Sequence, residues 1–516
     1  MQSNDVDDLL SAVKQLHAKY ADDEFMMGKL TAHIAQLPAT MDAANQARDD
    51  KEQRKKMLLT ASDEFIEQFL NESPQYYYNP NVELFFVYDA DAECNYSVIN
   101  EDDILHPILT KISCNRELMP WKYKIKNQVL RRIKDRDLLS SIPESQTIQR
   151  TLNMLCPTLF RTRDCAKYFL TVLGDVLLKK TVCTSDVLME PIYIATPKAR
   201  QFIKGLSQEC VTLFGTSLLS AFKFKFYEYA FSECRLLDMN DVAMDAFSPP
   251  FKHRLIDIFC VAAHYSQRYD NAELFLNKQC KDTVTHHRVL YLKYHSEDQL
   301  IAKFVETCEP SPQSNMSITW KNMMYLWKVF IEEERIPNVF FAHALKARLM
   351  QHVPNYSETA DSFLQLTSKH LPLVARFKDF WTQTIALNPN DECELEIDEF
   401  TALFKQYHLA QPSPQLQSHN HTDTAFLGLI RHFYPDVVIE NDKHLMQVSC
   451  ALWDKRGDVL ASMQEYATSM QPASYKAYEF YCQQQRLKCK NSAGTGSHHL
   501  IVSKKYFEKI YNENKF

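Results

Sequence analysis

Residues 320–330, WKNMMYLWKVF, place Met323, Leu326, Trp327 and Phe330 at i, i+3, i+4 and i+7. That spacing gathers four large apolar side chains on one face of an α-helix, as a buried stripe requires. The same period runs outward on the N-terminal side. Ile203, Leu206, Val211, Leu213 and Leu218 open the series, and Leu255, Ile258, Phe259 and Ala262 continue it, so residues 201–388 read as a helical body. No period of roughly 30–45 residues recurs, which argues against a regular solenoid.

The predicted fold is mainly α, in five segments. Residues 1–73 form an acidic helical or coiled-coil segment, in which Leu9, Leu10, Val13, Leu16, Leu58, Phe65 and Phe69 fall at helical spacings. It carries 14 acidic and 8 basic side chains, and a helical hairpin or a short coiled coil used for association fits it. Residues 76–200 read as a small mixed α+β domain. Residues 74–80, PQYYYNP, make an aromatic turn, residues 82–88 a strand, 95–99 its return and 189–195 a further short strand. After the helical body, residues 389–460 give helix, helix, hairpin, the order of a winged-helix module. Asp398 caps a first helix with Phe400, Leu403, Phe404 and Tyr407 on one face, and a second carries Phe426, Leu427, Ile430 and Phe433 up to Pro435. A polar loop, 411–421, joins them. Residues 461–516 add a C-terminal helix and tail.

Composition removes several function classes. Only 8 of 516 residues are glycine, and glycine is what lets a backbone close around a phosphate. No GxxxxGK[ST] or GxGxxG is present; Gly494 and Gly496 are the sole GxG pair. HExxH and GxSxG are absent too. The 14 cysteines contain no CxxC and read as reduced, mostly buried thiols of an intracellular protein. Cys482, Cys489, His498 and His499 match no zinc spacing, so no metal or cofactor is expected. The N-terminus MQSNDVDDLL has no apolar core of a targeting peptide, and no apolar run is long enough to span a membrane.

The strongest partner-binding signal is residues 121–136, WKYKIKNQVLRRIKDR, with seven basic side chains and one acid in a protein of net charge −7. Trp121, Tyr123 and Ile125 alternate with Lys122, Lys124 and Lys126, so an extended chain would put rings on one side and ammoniums on the other. Beyond them Val129, Leu130 and Ile133 pack inward from a helix whose outer arc holds Arg131, Arg132, Lys134 and Arg136. Such a face can neutralise phosphates while the rings stack on bases; a plain solvated face, or one paired with the acidic residues 1–73, has the same composition. The winged-helix-like segment offers Arg431 on its second helix and Lys443 on its wing, against a run of upstream acids that would repel phosphate. Asp89 and Asp91 follow an apolar strand, a D-x-D arrangement that can hold a divalent cation but is also ordinary turn chemistry.

Several stretches resemble an uncharacterised protein family of giant viruses, the nucleocytoplasmic large DNA viruses. They are INEDDILHPILTKI (99–112), PWKYKIKNQVLRRIKDRDLLSSIPESQTIQ (120–149), AKYFLTVLGDVLLKK (166–180), LTSKHLPLVARFKDFW (366–381) and FYPDVVIENDKHLMQVSCALWDK (433–455). The C-terminal part is also similar to the winged-helix tail of viral primase-helicases, without a Walker motif. The resemblance implies a setting in the host cytoplasm, in the viral factory or the virion, and a role in genome or message handling. It transfers no active-site residue. The expectation is a non-enzymatic nucleic-acid-associated factor with DNA or RNA and viral or host proteins as partners. The alternatives are an assembly scaffold, or a metal-dependent nucleotidyl enzyme using Asp89 and Asp91.

Overall fold

The computed structural model describes residues 3–72, 74–90, 95–181, 190–240, 249–311, 316–388, 393–409, 422–469, 474–491 and 500–514. The chain is mainly helical with several small sheets. It divides into two compact units, Met1–Lys225 with Tyr229–Tyr294, and Phe226–Glu228 with His295–Phe516. No helix among the described residues is long and apolar enough to cross a membrane. Cys210, Cys234, Cys260, Cys308 and Cys450 are buried free thiols.

The first unit starts with α1 (Ser3–Lys19) and α2 (Glu24–Asn71). They meet at a corner where the Asp23 carboxylate accepts from the N–H groups of Phe25 and Met26, satisfying two donors that a helix start leaves open. No α1 side chain from residue 6 to 19 is buried, so the intramolecular hairpin does not form. Only the last turns of α2, through Ile66, Phe69 and Leu70, reach a core. Strands β1 (Gln75–Asn79), β2 (Leu84–Asp89) and β3 (Asn95–Ile99) make an antiparallel sheet in chain order, with Tyr88 opposite Tyr96. Two of these strands match the expected pair. The third replaces the expected aromatic turn. Helices α3 (Glu101–Cys114) and α4 (Lys122–Lys134) then pack Ile104, Ile108 and Ile112 with Ile125, Val129 and Ile133 and the end of α2 in one core.

A larger core follows, built on α5 (Ser145–Leu155), α6 (Arg163–Leu177), α7 (Arg200–Phe214) and α8 (Leu255–Tyr269). Helical periodicity predicts an almost wholly helical body over 201–388, and there the structure differs. Strands β4 (Ile192–Ala195), β5 (Phe222–Lys223) and β6 (Cys234–Leu237) form a parallel sheet of order β5-β4-β6. Residues 222–229 contribute only the short β5. Parallel strands need crossover connections, and α7 supplies the one between β4 and β5, ending at Gly215 with φ 69° in the left-handed region.

Two buried carboxylates tie these helices to their neighbours. Asp175 on α6 accepts from Ser266 Oγ (2.5 Å) and from the N–H of Ala272 (2.8 Å). Asp257 on α8 accepts from the N–H of Tyr96 on β3 (2.9 Å). Burial outweighs these bonds and pushes each carboxyl up to about 6. A carboxyl raised in the folded state stabilises the fold fully below its unfolded value of about 3.9 and loses that contribution as pH rises through 6. Each group should therefore add on the order of 1 kcal/mol to stability at pH 5 relative to pH 7.5. Asp257→Asn, which keeps an acceptor for Tyr96, is expected to remove about half of the pair's combined pH dependence in thermal melts. A variant and a wild type with parallel Tm–pH curves over that range would refute the assignment.

The second unit opens with α9 (Glu297–Glu306), α10 (Trp320–Glu333) and α11 (Ala342–His352). Met323, Leu326, Trp327 and Phe330 of α10 are all buried, as their spacing requires. Next come α12 (Leu371–Thr384), β7 (Ile385–Leu387), β8 (Glu394–Glu396), α13 (Ile397–Leu409), α14 (Asp423–Phe433), β9 (Ile439–Glu440), β10 (His444–Met446) and β11 (Val448–Cys450). The loop expected at 411–421 lies outside the described residues. Strands β8, β10 and β9 make an antiparallel sheet of order β8-β10-β9, and β11 pairs instead with β7. The core of this region is aromatic. Phe377 faces Phe400, Phe426 and Phe433, and Trp381 stacks on Tyr434 with centroids 4.2 Å apart. Helices α15 (Lys455–Ser469), α16 (Ser474–Asn491) and α17 (Lys504–Glu513) close a separate cluster around Val459, Tyr481 and Phe507.

Candidate nucleic-acid interface

The basic segment 121–136 is helical almost throughout, which corrects the expected extended run at 121–126. A 3-10 turn, Met119–Trp121, leads directly into α4 at Lys122. Ile125, Val129 and Ile133 recur at i+4, and burying that stripe on α3 and the end of α2 decides the conformation. Trp121 and Ile125 are also four residues apart, so the alternation with lysine satisfied a helical period equally well. The last turn carries Arg131, Arg132 and Lys134, where cations are favoured by the helix dipole.

The helical turn sorts the nine candidate residues. Lys124, Asn127 and Arg131 fall in one i, i+3, i+7 row and are exposed, and Lys134 continues it. Tyr123 stands beside them, 77% exposed. Lys124 Nζ lies 3.7 Å from the centroid of the half-buried Trp121 ring, a cation–π contact that holds the ammonium at the surface. Lys122 Nζ donates to Ser113 Oγ (3.2 Å), and Lys126 is half-buried. Among the described residues Lys122, Lys124, Lys126 and Arg131 have no carboxylate within ion-pair distance.

The other three are drawn toward the protein itself. Arg132 sits 3.7 Å from Glu67 of α2, and Lys134 sits 3.7 Å from Glu101 of α3 while lying over the rings of Tyr78 and Phe85. Both ion pairs are solvent-exposed and weak enough to exchange partners. Arg136 is different. Its guanidinium donates to the carbonyl of Leu70 at 2.6 Å, which fastens the end of α2 to the sheet-bearing core. Arg136 also lines a cavity of about 440 Å³ with Gln75, Tyr77, Asp135, Asp137 and Ser140. Two carboxylates there oppose a phosphate.

The residues expected on the wing-like region are internally paired. Arg431 of α14 bonds to Asp442 in the β9–β10 turn. Lys443 Nζ is 2.7 Å from Glu396. Burial would raise the Glu396 carboxyl, but the Lys443 ammonium and a bond from Ser503 hold it below its ordinary range. Sequence spacing did not reveal a further basic cluster at the end of α14. Lys321 Nζ donates to the carbonyl of Phe433 (3.0 Å), and Lys378 Nζ lies 4.2 Å from the Phe433 ring. His432 Nε2 donates to the carbonyl of Lys321 (2.8 Å), and burial with the surrounding lysines lowers its pKa. Lys321 and His432 lie more than a hundred residues apart, so no local pattern could signal them. Lys321 satisfies an open carbonyl at a helix end, which accounts for it structurally.

Asp89 ends β2 opposite Asn95, and Asp91 lies outside the described residues, as do His498 and His499. Among the described residues no three His, Cys, Asp or Glu side chains converge as a metal site needs. No protein-family model, curated protein or solved structure matches this chain.

Proposed function

We propose that the chain is a non-enzymatic, nucleic-acid-associated factor that contacts phosphates through the outer face of α4. The single observation that carries this reading is the row Lys124–Arg131 with Lys134, flanked by Lys122, Lys126 and the exposed Tyr123, in which four cations keep their charge unpaired. Uncompensated cations at helical spacing supply the counterion-release term of polyanion binding, and Tyr123 offers a π-face for an unstacked base. The resemblance to giant-virus proteins supports a role in genome or message handling in the host cytoplasm.

The winged-helix reading of β8–β11 is part of the same proposal. It is supported by the strand order β8-β10-β9, in which the strand before the two helices pairs with the second strand of the hairpin. The pairing of Arg431 with Asp442 and of Lys443 with Glu396 favours docking of a protein over reading of base edges at this module. A scaffold role is the second reading, favoured by the Arg132–Glu67 and Lys134–Glu101 contacts, which show acidic side chains already accepted at the edges of the face.

The test is fluorescence anisotropy of the full chain with generic single- and double-stranded probes. Lys124→Glu with Arg131→Glu is expected to weaken binding roughly 10- to 100-fold, since two phosphate contacts become repulsions. Arg431→Glu with Lys443→Glu should change it less than about 2-fold. Equal loss from both pairs, or none from the first, would reject α4 as the interface.

A further inference from the structure

The N-terminal arm presents an apolar face that is largely exposed among the described residues, with Met27 and Leu30 half-buried. Leu9 is 63% exposed, Leu37 56% and Met41 62%, with Val6, Val13, Leu16 and Ile34 also exposed. Placing Val6 at position a of a heptad puts Leu9 at d, Val13 at a and Leu16 at d. The same frame resumes after the Tyr20–Asp23 corner without a shift, because Met27 lies three whole heptads beyond Val6. It gives Met27, Ile34 and Met41 at a, and Leu30, Leu37 and Ala44 at d. Two runs in one register, on two helices that do not pack on each other, are the sequence of a seam that meets an identical seam.

We infer that residues 6–44 associate with the same residues of a second copy of this chain as a parallel two-stranded coiled coil. Three observations choose that occupant. β-branched Val6, Val13 and Ile34 at a, with Leu9, Leu16 and Leu37 at d, is the combination that favours two parallel strands over higher states. The flanking positions bring no like charges together in that arrangement, and they set Lys19 at g against Glu24 at e of the partner. The seam holds two heptads on α1 and three on α2, on either side of the Tyr20–Asp23 corner, and only the two runs together exceed the roughly three to four heptads that a stable coiled coil needs. With roughly 60–120 Å² removed from water per buried aliphatic side chain, it also reaches the 1,200–2,000 Å² or so typical of specific interfaces. Leu10 at e broadens the stripe on the same side.

Sedimentation or light scattering of the full chain tests this. The expected mass at about 10 μM is twice the 60.2 kDa of one chain. Leu16→Asp with Leu37→Asp should raise the dissociation constant at least about 100-fold, as two charges per chain enter the seam. Both positions are exposed in the single chain, so the cores of the two units should stay folded, and only helical signal from the arm should fall with the loss of the dimer. Val13→Cys, at an a position, is expected to give a disulfide-linked dimer on mild oxidation that the unsubstituted chain does not give. A monomeric mass for the unsubstituted chain, which is what back-folding of α1 on α2 would produce, overturns the inference. So does a dimer that survives the double substitution, and failure of Val13→Cys to cross-link overturns the parallel register.

Discussion

Arg235→Ala is expected to destabilise the first unit by about 3–5 kcal/mol. Arg235 on β6 is 1% exposed and meets Glu273 in a two-pronged pair, with Nε to Oε1 and Nη2 to Oε2 both at 2.8 Å. Its remaining nitrogen donates to the carbonyls of Ser232 and Cys234, so every edge of the guanidinium is used. Truncation leaves the Glu273 carboxylate buried with no counter-charge, and that uncompensated charge, more than the lost attraction, sets the cost. For a unit of this size the loss corresponds to a fall in Tm of roughly 5–8 °C. The double variant Arg235→Ala with Glu273→Ala should recover part of it, because no orphaned charge remains. A fall of under 1 °C for Arg235→Ala would show that water reaches the pair.

Gly174→Ala is the second. In an exposed helix this change stabilises by up to about 1 kcal/mol, through backbone entropy. At Gly174, however, an added Cβ would lie 2.0 Å from the carbonyl oxygen of Ala262 and 2.7 Å from Cβ of Ser266. Those atoms belong to α8, and the nearest is backbone, which cannot rotate away. The helices α6 and α8 must separate along the middle of the main core, at an expected cost of about 3 kcal/mol or more. Gly28→Ala in α2, where nothing stands within 4 Å, should cause no loss. The same substitution thus has opposite signs at two helical glycines, and thermal melts of both variants decide it. Equal melting temperatures would mean that the α6–α8 approach is looser than described.

These two sites explain part of what could be read in advance. The scarcity of glycine excludes phosphate loops from the sequence, but it does not announce that Gly174 is needed for a helix crossing, since the constraint comes from a residue 88 positions away. The stripe Met323–Leu326–Trp327–Phe330 was legible because its period is complete within one helix. Of the parallel sheet only the central strand β4 was legible, within 189–195. β5 and β6 are two and four residues long, too short to show an alternation, and the sheet's cohesion comes from pairings across a crossover. β1 was missed for a related reason: Tyr76, Tyr77 and Tyr78 give no polar–apolar contrast from which a period could be drawn. In α4 the charge was legible and the conformation was not, because Trp121 and Ile125 satisfy both periods. The division of the cations into exposed row, flanking pairs and the Arg136 tether depends on Glu67, Glu101 and Leu70, which only folding brings near.

The salt dependence of probe binding tests the central claim most directly. If Lys122, Lys124, Lys126 and Arg131 each neutralise about one phosphate, the slope of log K against log salt on duplex probes should be about −3 to −4. Between 50 and 200 mM salt that corresponds to a loss of affinity of roughly 100-fold. Lys124→Glu with Arg131→Glu should reduce the slope by about 2. Binding that is absent at 50 mM salt, or whose affinity does not change with salt, would contradict the account.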